Sequence, residues 1–149
     1  MTTWAEIERD APAFATRLRT VFQAGTNKTM ASLRKDGSPR ISGTELEFHD
    51  GRITLGMMPD SRKLADVQRD GRVAIHSPTI EPPEKGSLGL GDAKLAGTLR
   101  AIDPPSPDAI PGFYFELDVA EAVVTWVEGD ELVVESWHPG RGLVQLRRR

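Results

Sequence analysis

The chain has 149 residues, of which 38% are hydrophobic and 28% charged, and its net charge is −3. That length suits one globular domain, which buries roughly 68–70% of its unfolded surface and so builds a real core. The slightly acidic balance excludes bulk attraction to nucleic acid, and the lack of cysteine excludes disulfides, thiolate metal sites and a cysteine nucleophile.

No apolar window approaches the ~18 residues of a membrane span. The opening Met1-Thr2-Thr3-Trp4-Ala5-Glu6 lacks the basic-then-apolar order of a secretory leader. A cytoplasmic domain with neither a membrane nor a nucleic-acid partner is expected. In chain order, Thr3-Trp4-Ala5-Glu6 carries a capping-box signature for a short helix. Pro12 suits the first turn of a second helix, in which Phe14, Leu18, Val21 and Phe22 fall at helical spacing and which Gly25 ends.

From residue 26 the period changes. Residues 29–34 read as a strand, Lys35-Asp36-Gly37 as a hairpin turn, 40–48 as the returning strand, His49-Asp50-Gly51 as the next turn and 52–58 as a third strand. Residues 61–69 read as a helix with Leu64 and Val67 as its apolar contacts, followed by a fourth strand over 72–77. The stretch 78–91 is rich in proline and glycine, and a loop that long inside a compact domain is usually a lid, a binding loop or a disordered segment; a lid is expected here. A fifth strand over 92–103, a stiff Pro104-Pro105-Ser106-Pro107 connector, a sixth strand within 114–128, a Gly129-Asp130 turn, a seventh strand over 131–138 and a tail complete the chain. Turns this short join antiparallel neighbours. The fold class expected is mainly β: one domain over 1–149, an antiparallel, closed or nearly closed barrel of six to seven strands. Two N-terminal helices and one helix after the third strand are peripheral to it.

The most informative stretch is Met57-Met58-Pro59-Asp60-Ser61-Arg62-Lys63-Leu64-Ala65-Asp66-Val67. A strand stops at Pro59-Asp60, and a hydroxyl and two cations then open a helix. Unpaired N–H groups at a helix start favour an anion. Arg62 adds a planar fork, Lys63 a point charge and Ser61 a cap or a hydroxyl donor. A phosphate fits this set. The plainer alternative is a capped helix with two solvated cations, which would oppose the helix dipole.

Taken together, these residues resemble the pyridoxamine 5′-phosphate oxidase-like family, the flavin-binding split barrels. The resemblance rests on residues 29–42 as the opening hairpin, 53–63 as the strand and phosphate turn, and 63–73 as the following helix and strand start. It implies a homodimer of split barrels with FMN at the interface. It implies that Ser61, Arg62 and Lys63 hold the flavin phosphate, and that Arg40, Ile41, Ser42 and Gly43 lie beside the isoalloxazine and ribityl chain. Met57 and Met58 would approach the ribityl or dimethylbenzene side. The function implied is a flavin-dependent oxidoreductase passing hydride through FMN to or from a small molecule. A deazaflavin coenzyme on the same barrel and a non-catalytic cofactor-binding dimer are the alternatives. The true oxidases carry basic and aromatic C-terminal residues that grip pyridoxamine phosphate, and no such substrate-specific motif aligns onto the tail Arg141-Gly142-Leu143-Val144-Gln145-Leu146-Arg147-Arg148-Arg149.

Other motifs carry less. His49, His76 and His138 are scattered, which argues against a metal site. His76 reads as a barrel-end histidine with a hydrogen bond, and Glu45 and Glu47 as a solvated face. Gly86-Ser87-Leu88-Gly89-Leu90-Gly91 precedes a strand where a dinucleotide motif must open a helix, so it reads as part of the lid. Trp126 and Trp137 read as packing residues and the terminal Arg147-Arg148-Arg149 as a solvated end. No acid or base catalyst is assigned.

Overall fold

The computed structural model describes every residue except 83 and 85–88. Helix α1 (Trp4–Asp10) opens on the capping box: the Glu6 N–H donates to Thr3 Oγ1 at 3.3 Å and the Thr3 N–H donates to Glu6 Oε2 at 2.6 Å. Pro12 starts α2 (Pro12–Phe22), where its missing N–H costs no hydrogen bond. The strands are β1 (Lys28–Leu33), β2 (Pro39–Thr44), β3 (Glu47–His49), β4 (Arg52–Met57), β5 (Arg72–His76), β6 (Asp92–Ile102), β7 (Phe113–Glu128), β8 (Glu131–His138) and β9 (Gly142–Arg148), with α3 (Arg62–Arg69) between β4 and β5.

All pairings are antiparallel, and the main hydrogen-bonded path runs β2-β1-β5-β6-β7-β4-β3. The long β7 is where the sheet forks. One edge follows β6, while the other pairs with β4 over Phe113–Glu116 and with β8 over Ala122–Glu128. A register shift at Ala96/Gly97 lets β6 follow the bend of β7. A Cβ on Gly97 would sit 2.0 Å from the Asp118 carbonyl oxygen, so this bulge admits only glycine.

The mainly-β, antiparallel split architecture agrees with the sequence reading, but two boundaries differ. The strand expected over 40–48 breaks at Glu45-Leu46, which makes two strands of one and places the third helix after the fourth strand; with the tail strand described below, nine strands stand among the described residues where seven are expected. Thr44, Leu46 and Phe48 all stay buried, so the period-2 pattern runs through the break unchanged. Only the hydrogen-bond partner changes, from β1 to β4. The chain thereby links the two ends of the strand path covalently, while the path itself stays open. The second difference is the tail: Gly140 and Gly142, at φ 80° and 77°, fold it back as β9 against β8.

The core lies between the sheet and α1–α2. Trp4 and Phe48 meet edge-to-face at 4.9 Å, Phe22 lies 6.1 Å from Phe48, and Ile7, Phe14, Leu18, Ile53, Leu95, Leu117 and Val124 fill the space around them. Among the described residues, no helix is long and apolar enough to cross a membrane, and no group of three or more His, Asp or Glu is placed to hold a metal ion.

Candidate functional site

The turn after β4 is made by Asp60 in the left-handed region, φ 65°. It delivers Ser61 as the N-cap of α3, whose Oγ accepts the Leu64 N–H at 3.3 Å. The helix then docks on the face of β1 and β2 that carries Met30, Ser32, Arg40 and Ser42 in register. It buries Leu64, Val67 and, unusually, a carboxylate.

Asp66 is 2% exposed. Its Oδ2 accepts from Ser32 Oγ at 2.8 Å and from Arg40 Nε at 2.7 Å, and its Oδ1 accepts from Arg69 at 3.2 Å. Burial alone would push the Asp66 carboxyl up; the hydrogen bonds from Arg40, Ser32 and Arg69 and the Arg40 charge outweigh it and hold the group below the usual carboxylate range. A buried charge persists only when paired and hydrogen-bonded in this way.

Above Asp66 lies an open groove of about 620 Å³ between α3 and the β1–β2 turn. Its walls bring Arg34, Lys35, Arg40, Arg62 and Arg69 together against only Asp36 and Asp66. Asp36 is turned to its own hairpin, accepting from the Ser38 N–H at 2.9 Å and Ser38 Oγ at 2.6 Å. Arg40 spends only its Nε on Asp66, leaving both terminal nitrogens without a partner among the described residues. The exposed Arg62 side chain has no hydrogen bond or ion pair among them at all. Such a surplus of unsatisfied guanidinium donors in one concavity suits a phosphate or carboxylate.

The sequence-selected residues divide between two faces. Arg40 and Arg62 share the groove and Ser61 stands at its helix start. Lys63 reaches the other way, donating from Nζ to the Gly43 carbonyl at 2.6 Å. Ser42 points inward with Arg40, and its Oγ is buried with no partner among the described residues. Ile41, 75% exposed, and Gly43 belong to the outward face of β2, as strand alternation requires. A Cβ at Gly43 would meet nothing within 4 Å, so neither crowding nor a bulge explains the glycine. Met57 is 3% exposed and packs in the core, whereas Met58 is 75% exposed beside the turn.

The sequence reading missed Arg34, Lys35, Asp66 and Arg69 as members of this site. Arg62, Asp66 and Arg69 follow helical spacing along one face of α3, which was the available signal. Elsewhere, His76 Nδ1 lies 2.6 Å from the Ser77 carbonyl oxygen, and His138 Nε2 lies 2.8 Å from Glu121 Oε2. Trp137 Nε1 donates to Asp10 at 2.7 Å, and the Arg17 guanidinium lies 3.9 Å over the Trp126 ring, as packing residues would. Arg147 and Arg149 pair with Glu128 and Asp130 near the β7–β8 turn, each at 3.5 Å. The middle of the expected lid, including Gly86-Ser87-Leu88, lies outside the described residues.

No family model matches the sequence, and no curated protein does. Solved structures do match. PhzG from Burkholderia lata 383, in complex with tetrahydrophenazine-1-carboxylic acid, is 12% identical with a TM-score of 0.63 over 93% of this chain and 87% of that one. A pyridoxamine 5′-phosphate oxidase-related, FMN-binding protein from Nostoc punctiforme PCC 73102 is 14% identical with a TM-score of 0.61 over 95% and 97%. An F420 reductase is 11% identical with a TM-score of 0.51 over 68% and 92%. The chain spans about half (54%) of a conserved hypothetical protein from Mycobacterium tuberculosis, which is 20% identical with a TM-score of 0.50 over 60% of this chain. At these identities the likeness speaks for the fold: the chain has the split-barrel fold of the pyridoxamine 5′-phosphate oxidase-like proteins.

Proposed function

We propose that the chain is a flavin-dependent oxidoreductase that binds FMN by its phosphate in the groove between α3 and the β1–β2 turn. The observation that carries this reading is the pair of guanidiniums, Arg40 and Arg62, held in one concavity with free donors. The open space over Gly43, beside exposed Ile41 on the outward face of β2, also fits the flat ring of a bound flavin. Arg40 and Arg62 bind the dianion, Ser61 caps the helix that carries Arg62, and Lys63 holds β2 against that helix and adds positive charge beside it. When bound, FMN supplies hydride chemistry that needs little help from side chains. Exposed Ile41 and Met58 give the ring apolar neighbours, and a second copy of the chain closing over them excludes water; a homodimer in the cytoplasm is therefore part of this proposal.

A deazaflavin coenzyme in place of FMN is the second reading, supported by the likeness to an F420 reductase. It uses the same groove. Titration of the purified protein with FMN and with the deazaflavin, side by side, separates the two. Reduction of the bound cofactor by a nicotinamide donor, or its failure, separates an oxidoreductase from a dimer that merely holds the cofactor. Arg62→Ala is expected to weaken binding about 30- to 150-fold, the loss of one or two charge-assisted contacts. Unchanged affinity in both Arg62→Ala and Lys63→Ala overturns the phosphate assignment.

A further inference from the structure

We propose that Asp66 is a positioning residue for anion binding: it holds the Arg40 and Arg69 guanidiniums so that the free nitrogens of Arg40 face the groove. This rests on the reading that the groove takes the cofactor phosphate.

A negative charge beneath an anion site is adverse on electrostatic grounds alone. Nor does stability account for it, since a buried ion pair is often no better than well-packed apolar residues of the same volume. The geometry supplies another reason. An arginine side chain has many rotamers, and ordering it at the moment of binding weakens affinity. Here Ser32 and Arg69 fix the carboxylate from the strand and from the helix, with Arg69 also donating to the Leu33 carbonyl at 2.7 Å. The carboxylate in turn takes Arg40 by Nε, the one nitrogen whose use leaves the terminal pair free as a fork. Asp66 therefore orders Arg40 before any ligand arrives.

Charge and positioning predict opposite signs. Asp66→Asn removes a negative charge of almost the same shape. If the carboxylate acts only as a charge, FMN binds more tightly to the variant. If it positions Arg40, FMN binds about tenfold more weakly, a partial loss of one charge-assisted contact. Riboflavin, which lacks the phosphate, serves as the control. The expected result is weaker FMN binding, unchanged riboflavin binding, and no further effect of Asp66→Asn in an Arg40→Ala background. FMN affinity that is unchanged or tighter overturns the proposal, and so does an equal loss for FMN and riboflavin, which marks a purely structural role. Should Asp66→Asn fail to fold, Asp66→Glu gives the same comparison: it keeps the charge but displaces Arg40, so FMN must weaken and riboflavin must not. Wild-type protein that does not distinguish FMN from riboflavin overturns the phosphate reading itself, whatever the variants do.

Discussion

Helices α1 and α2 pack beside β4, β6 and β7, and α3 packs beside β1, yet the two regions are built from different materials. The first buries Trp4, Ile7, Phe14, Leu18 and Phe22 in a continuous apolar cluster. The second buries Leu64 and Val67 around a carboxylate and leaves guanidiniums without partners at its rim. Apolar burial yields stability at roughly 25 cal/mol per Å², and the first region uses it fully. The second region forgoes part of that gain and keeps an ordered set of charges, as a site for an anion requires. The contrast gives a rule for variants: changes under α1–α2 should read out in stability, and changes to the unpaired guanidiniums beside α3 in binding.

The largest effect expected is Phe14→Ala. It empties a fully buried aromatic site and should lower unfolding free energy by about 3–5 kcal/mol in chemical denaturation. Cofactor affinity of the folded protein should be unchanged; a parallel loss of affinity would mean that the two regions are coupled. Next comes Arg62→Ala, for which the order reverses. Binding should weaken by about 2–3 kcal/mol, while stability moves by no more than ~0.5 kcal/mol, since Arg62 touches no partner among the described residues.

Acid sharpens the comparison further. Asp66 and Asp118 are held below the ordinary carboxylate range, and the hydrogen bonds from Arg72 bring Asp70 down to about 2. For each, the folded value lies below the unfolded one. The stability they contribute is therefore complete above the unfolded value, near ~4, and is lost as pH falls through the folded value. Denaturation midpoints measured from neutral pH downward should fall below ~4, and Asp66→Asn should flatten part of that decline. Phe14→Ala should lower the whole curve without changing its slope. An acid limb of the same steepness in Asp66→Asn would mean that the buried carboxylate under α3 has no depressed pKa.

How much of this was legible in the sequence follows the same division. The capping box at Thr3 and Glu6, the Lys35-Asp36-Gly37 hairpin and the Ser61 cap are local signals, and local chemistry decides them; the second helix instead ends at Phe22, capped by Gln23 before Gly25 is reached. The break at Glu45-Leu46 was not legible, because side-chain alternation reports which face is buried and is blind to which strand accepts the hydrogen bonds. Strand β9 was missed because exposed Leu143 and Leu146 between arginines look like a solvated tail; its pairing is carried by backbone groups and by glycines with positive φ. In the site, consecutive cations marked the turn, but the residues that complete the groove come from the β1–β2 hairpin and the far end of α3. Only folding brings Arg34, Arg40 and Arg69 within reach of Arg62. Asp66 was hidden for a similar reason: a carboxylate on a short charged helix looks solvated until Ser32 and Arg40 close over it.

The smallest effect expected lies in the terminal arginines, where the contrast between the two regions meets a control. Arg147 reaches Glu128 at 3.5 Å and Glu131 at 4.0 Å, and Arg149 reaches Asp130 at 3.5 Å, all with side chains substantially open to solvent. Such pairs are screened and contribute ~0–1 kcal/mol. Arg147→Ala should therefore change stability by less than ~0.5 kcal/mol, and raised salt should erase the difference. Its cofactor affinity should equal that of the wild type, in contrast to Arg62→Ala, although both substitutions remove one guanidinium. The measurement is a paired titration of the two variants at one ionic strength. If Arg147→Ala weakens binding as much as Arg62→Ala does, the C-terminal strand of one copy serves the groove of a second copy, and the division between structural and binding charges does not run within one chain.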